Sequence, residues 1–116
     1  MAREDEIADK DDSGKAPWHL FPWDAAHQIV AVLRFGAGKY GDRNWERGIA
    51  YSRVYSALIR HLVAWWEGEP CDEETGLSHL AHAGCCLLFL LAFEGRGMRQ
   101  FDDRPRRAEL TDRTVH

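Results

Sequence analysis

The sequence predicts an all-α protein built on three main helices. Three observations carry that reading. Apolar residues recur at i, i+3, i+4 spacing in two segments, and a third is apolar almost throughout. No alternating apolar–polar stretch of useful length is present for a strand. Gly- and Pro-bearing stretches separate the three segments. With 116 residues, 45% of them hydrophobic and 11% aromatic, the chain suits one folded domain and is not disordered throughout.

Taken in order, residues 1–15 carry six acids against three bases and read as a disordered acidic tail. Residues 16–23, APWHLFPW, hold two prolines that forbid a continuous helix, yet their aromatic residues favour burial. An extended segment lying over the core is expected there. The first helix is predicted from about Asp24, as N-cap, to Gly38, with Ala26, Ile29, Val30, Leu33 and Ala37 on one face. Gly36, Gly38, Gly41 and Gly48 then suggest an ordered Gly-rich loop, long enough to imply a role in function. It contains Lys39, Tyr40, Asp42, Arg43, Asn44 and Trp45, a mixture suited to a polar ligand.

The second helix is predicted over about Arg53–Glu67, capped by Ser52 and stopped by Gly68 and Pro70. Its core stripe is Val54, Leu58, Ile59, Leu62, Val63 and Trp66. The third runs from near Ser78 to Gly95 and, being apolar nearly all round, should be the buried central helix. Residues 96–116 read as a charged, Arg-rich tail. The domain itself is therefore expected over 16–95. Three helices do not easily enclose the third, so a homodimer or higher homo-oligomer is expected to complete the bundle.

Composition narrows the partners. A net charge of −4 gives no electrostatic case for polymeric nucleic acid. The longest largely apolar stretch, Leu80 to Phe93, is 14 residues, too short for a membrane span of about 20. The acidic N-terminus has no apolar segment of the signal-peptide kind, so a cytoplasmic protein is expected. Cys71, Cys85 and Cys86 fit a reducing compartment without disulfides, and with no CxxC they offer no zinc ribbon.

The strongest chemical constellation is His61, Asp72, Glu74, His79 and His82. His79 and His82 share a face at the start of the third helix, and loop carboxylates precede them. Imidazole with carboxylate is a ligand set for a divalent metal, and a helix N-terminus favours phosphate. The structural alternative is that these histidines only satisfy local hydrogen bonds, and HxxH is a weaker signal than HExxH. Lys39, Arg43, Arg53 and Arg60 are candidates for phosphate contacts, against the alternative of a solvated face or surface ion pairs. Tyr40 and Trp45 could stack on a base, with Asn44 meeting base or sugar; equally, the aromatic pair could hold the loop in place. The phosphate-loop motif GxxxxGK[ST] is absent.

RFGAGKYGDRNWERG at 34–48, YSRVYSALIRHLVAWWEGE at 51–69 and DEETGLSHLAHAGCCLLFLL at 72–91 resemble the dATP/dGTP diphosphohydrolase N-terminal domain family. That family consists mostly of phage proteins, the MazZ-like enzymes among them, and is related to MazG-type nucleotide pyrophosphohydrolases. The resemblance covers residues 13–95. It implies a MazG-like helical bundle and metal-dependent hydrolysis (Mg, Mn or Co) of a purine deoxynucleoside triphosphate to monophosphate and pyrophosphate, in the host cytoplasm if the chain is phage-encoded. MazG-type enzymes hold metal with acidic ExxE and ExxD pairs. Here Arg60 and His61 stand on the second helix, and His79 and His82 open the third. On the enzyme reading, His61, Asp72, Glu74 and His79 would be catalytic, and these four with His82 would hold the metal. The alternative is a non-catalytic nucleotide-binding or protein-interaction module; a metal phosphomonoesterase releasing inorganic phosphate is a third reading.

Overall fold

The computed structural model describes residues 7–105. The chain forms three long helices, α1 (Trp23–Tyr40), α2 (Tyr51–Trp66) and α3 (His79–Gly95). Short 3-10 turns lie at Trp18–Leu20, Asn44–Arg47 and Arg99–Phe101. Among the described residues there is no strand, only an isolated bridge between Cys71 and Ser78, so the all-α expectation holds. No helix among these residues is long and apolar enough to cross a membrane.

α3 packs most extensively on α2 and also against α1. The start of α2 meets the end of α3, so the two run antiparallel: Tyr51 and Val54 cluster with Phe93, which is fully buried. Trp45 stacks on Phe89 with ring centroids 4.6 Å apart, and Tyr51 on Phe93 at 6.0 Å. Met98 and Phe101 pack against this cluster. Phe101 lies so close to Gly48 that a Cβ there would fall on its ring. On the other flank, Gly84 lets Ile29 of α1 approach the α3 backbone.

Several boundaries differ from the sequence expectation. α1 continues through Gly36 and Gly38 to Tyr40. A helix-interior glycine costs only about 1 kcal/mol relative to alanine, and the helix breaks at Gly41, whose φ is +98°. The expected Gly-rich loop therefore begins five residues after its first glycine. Asp24 lies inside the first turn of α1, and the cap position is Pro22. Ala26, Ile29, Leu33 and Ala37 form the half-buried stripe, while Val30 faces outward.

α2 starts at Tyr51, so Ser52 is not its cap. Instead the Asp103 carboxylate accepts from the Ser52 N–H at 2.8 Å and from its hydroxyl. Of the expected α2 stripe only Val54 is buried; Ile59, Leu62, Val63 and Trp66 are exposed. α3 is likewise open along Leu80, Leu87, Leu88 and Leu91.

At the two ends, Trp18, Phe21 and Trp23 pack on one another and remain exposed, so residues 16–23 do not cover the core. Within the tail expected from residue 96, Met98 and Phe101 pack on the core cluster. The remainder of that tail, 106–116, and residues 1–6 lie outside the described residues.

Candidate metal and phosphate site

The far end of the α2–α3 interface is polar. α2 ends in a helix-terminating turn in which Gly68, at φ +102°, donates to Trp65 O and Glu69 N donates to Ala64 O. These are the two backbone bonds of a Schellman motif, and the positive φ is what glycine supplies. The loop returns through Asp72 N to Leu77 O at 2.8 Å and His79 N to Pro70 O at 2.9 Å. Ser78 then caps α3 by accepting from Leu80 N. These constraints place His79, the first residue of α3, in a buried position against α2.

There His79 Nδ1 lies 2.9 Å from His61 Nδ1, and His79 Nε2 lies 2.7 Å from Glu69 Oε1. The His61 ring stacks on His82 at 4.5 Å and 9°. His82 Nε2 is 2.7 Å from the Thr75 hydroxyl. Asp72 Oδ2 accepts from the Thr75 N–H at 3.0 Å and from the Thr75 hydroxyl at 3.2 Å. His61, Asp72 and His79 each present one ligand atom, all within 4.8 Å of one another. Two imidazoles and a carboxylate form a donor set that fits a divalent transition ion.

The electrostatics keep this cluster in ligand form. Burial, and then the neighbouring His82 and His79, hold His61 below the usual imidazole range. Burial also lowers His82, against the opposing pull of Asp72. For Asp72 burial works upward, but the two Thr75 hydrogen bonds, with His82 and His61, bring it below its ordinary value. Near neutral pH His61 and His82 are therefore held as neutral imidazoles and Asp72 as an ionised carboxylate.

Along α2, a cleft of about 510 Å³ is lined by Ser52, Arg53, Ser56 and Arg60, with Ile49, Val54, Ala57, Cys86 and Phe89 as its apolar part. Arg60 links the two features: it lines the cleft, and its charge contributes to lowering His61.

Not every residue of the expected constellation meets here. Glu74 forms an exposed ion pair with Lys39 at 2.9 Å, outside the trio. His82 stands beside the trio, its Nε2 turned to Thr75 and 4.0 Å from Asp72. Tyr40 is exposed under the Lys39 ammonium. Asn44 opens the 3-10 turn. Trp45 has Phe89 stacked on its ring and Arg96 5.3 Å away, so it is part of the core's edge. Arg53 and Arg60 do share the cleft. Glu69 and Thr75 are the contacts the sequence did not single out. Glu69 is one of five carboxylates between 67 and 74, and only the turn geometry distinguishes it.

Comparison with known proteins agrees with the resemblance in the motifs. Residues 5–104 match the family described as dATP/dGTP diphosphohydrolase, N-terminal. A dATP/dGTP diphosphohydrolase of Salmonella phage PMBT28 is 38% identical over 81 residues. That alignment covers 70% of this chain and 28% of the phage protein, so the chain spans under a third of that relative's length. No solved structure matches the chain. With nearly all of its described residues inside the matched region, the chain belongs to the dATP/dGTP diphosphohydrolase N-terminal family.

Proposed function

We propose that the chain hydrolyses a purine deoxynucleoside triphosphate, dATP or dGTP, to the monophosphate and pyrophosphate with the help of a divalent metal. The observation that carries this reading is that the His61–Asp72–His79 trio and a cleft bearing Arg53 and Arg60 share helix α2, with Arg60 of the cleft next to His61 in the chain. His61, Asp72 and His79 would hold the ion. When bound, a divalent ion supplies positive charge that polarises a phosphoryl oxygen. Arg53 and Arg60 bind phosphate oxygens, for which the planar guanidinium fork is well shaped. Ser56 offers a further hydroxyl from the same wall, and Phe89 with Ile49 supplies apolar surface for the nucleoside. Thr75 orients Asp72 through two hydrogen bonds.

The dATP/dGTP diphosphohydrolase named from Salmonella phage PMBT28 supports the substrate class. A second reading, nucleotide binding without turnover, is favoured by the absence of an acidic ExxE or ExxD pair from α2 and α3. Incubating the protein with each deoxynucleoside triphosphate and Mg²⁺, Mn²⁺ or Co²⁺, then with a chelator, separates the two. Pyrophosphate and monophosphate from dATP or dGTP, lost with chelator and in the His61→Ala/His79→Ala variant, is the expected result. Nucleotide binding without product from folded protein would establish the second reading. Release of inorganic phosphate and the diphosphate in place of pyrophosphate would mean a phosphohydrolase that cleaves at the terminal phosphate.

The assembly is proposed to be a homodimer or higher homo-oligomer, because Leu87, Leu88 and Leu91 leave one side of α3 exposed. Light scattering coupled to size exclusion tests this. A monomer at micromolar concentration would refute it.

A further inference from the structure

The His79 tautomer is set by a residue outside the proposed ligand trio. A carboxylate only accepts hydrogen bonds, so the 2.7 Å contact between Glu69 Oε1 and His79 Nε2 requires a proton on Nε2. In a neutral ring that leaves the lone pair on Nδ1, and Nδ1 is the atom 2.9 Å from His61 Nδ1. Glu69 thus turns an unprotonated nitrogen toward the partner imidazole.

Its placement is over-determined for an exposed ion pair. The Glu69 backbone is fixed by its bond to Ala64 O, and His79 is fixed by its bond to Pro70 O, so both partners are held by main-chain hydrogen bonds. Helix stability alone gives no reason for an acid here. Glu69 follows the C-terminus of α2, where the helix dipole disfavours negative charge.

We infer that Glu69 is a positioning residue that orients His79 so that the His61–His79 pair takes an imidazole-preferring transition ion of the Zn²⁺ or Co²⁺ class in preference to Mg²⁺. This rests on the metal reading above and narrows it. Two imidazole nitrogens suit borderline transition ions, whereas Mg²⁺ favours oxygen donors and keeps its waters. Carboxylates that orient a metal-binding histidine through its second nitrogen typically contribute 10- to 100-fold in affinity.

Two measurements on the full chain test it without using turnover. Long-range ¹H–¹⁵N spectra of the histidine side chains report the tautomer in the metal-free protein. Calorimetric titrations with Co²⁺, Zn²⁺ and Mg²⁺ report affinity. The wild type is expected to show His79 in the Nε2–H form and to bind Co²⁺ and Zn²⁺ more tightly than Mg²⁺. Glu69→Ala is expected to lose the single tautomer and about 10- to 100-fold in Co²⁺ affinity. Glu69→Gln, whose amide oxygen still accepts from Nε2, is expected to restore much of both, and if Glu69→Ala fails to fold the wild-type tautomer and the order of metal affinities still decide. An unchanged tautomer and Co²⁺ affinity in both variants would overturn the inference, as would tighter binding of Mg²⁺ or no metal binding at all. The product assay separates this from the proposed function. Co²⁺ binding that depends on Glu69 without nucleotide turnover upholds the inference and overturns only the enzyme reading. Turnover supported by Mg²⁺, with no dependence on Glu69, does the reverse.

Discussion

The two ends of the α2–α3 interface are made by the same pair of helices and do opposite things. At one end Tyr51, Val54 and Phe93 form a closed apolar cluster, sealed by Trp45, Met98 and Phe101. At the other, His61, His79 and His82 meet in a cluster of imidazoles whose hydrogen bonds run out to Glu69 and Thr75, with Asp72 4.0 Å from His82. The apolar end is held by side-chain packing, which is tolerant of direction but not of volume. The polar end is held by backbone hydrogen bonds in a tight loop, and its side chains are left with polar atoms turned inward. Burying polar groups is costly unless each finds a partner, so three histidines at one helix end contribute less to stability than the same volume of leucine would. A fold can carry that cost because the other end supplies the stability.

If the apolar end supplies the stability, the largest effect should come from Phe93→Ala. Phe93 is fully buried, and truncating such a ring costs about 3–5 kcal/mol. For a domain of this size that is a fall of roughly 12 °C or more in Tm, measurable by circular dichroism. A loss comparable to that of a surface substitution would break the comparison.

Gly48→Ala comes next and acts through the same cluster. Its added methyl would collide with the Phe101 ring, and its φ of +104° disfavours any side chain. About 1–3 kcal/mol is expected, read from the shift of a urea unfolding curve. The Gly48→Ala/Phe101→Ala pair should be less destabilised than the sum of the single variants, because removing the ring removes the collision. Additive losses would mean that backbone strain alone sets the cost.

The same contrast explains what was legible in the sequence. The existence and order of the three helices followed from apolar spacing, and the end of α3 at Gly95 was placed correctly. Local rules failed where a distant residue intervened. Ser52 looked like a cap, but Asp103, 51 residues on, bonds its N–H and hydroxyl while the helix begins one residue earlier. Gly36 and Gly38 looked like breaks because propensity is summed locally, whereas α1 is held by its packing on α3. At the site, residue types revealed the histidines and Asp72, and spacing put His79 and His82 on one face. Nothing in the spacing separated Glu69 from Glu74. One faces His79 and the other pairs with Lys39, because the turn after α2 directs them apart.

The polar end should declare itself by pH, with the smallest of the three effects. His61 and His82 are both held below the ordinary imidazole value of 6.5, chiefly by burial. The unfolded chain therefore binds protons there that the folded chain does not, and stability falls as pH drops below about 6.5 and is fully present above it. Asp72, lowered from its ordinary 3.8, acts in the same direction only at more acidic pH, where its protonation removes a further contribution. In metal-free protein the Tm is thus expected to be flat from pH 8 to about 7 and to decline through pH 5.5. His61→Gln/His82→Gln should flatten that decline while leaving the apolar end intact. The double variant measures how much of the slope belongs to His61 and His82, since His19, His27, His79 and His116 remain present in both proteins. A wild-type Tm that rises on acidification would reverse the assignment, because it would require these imidazoles to be stabilised as cations in the fold.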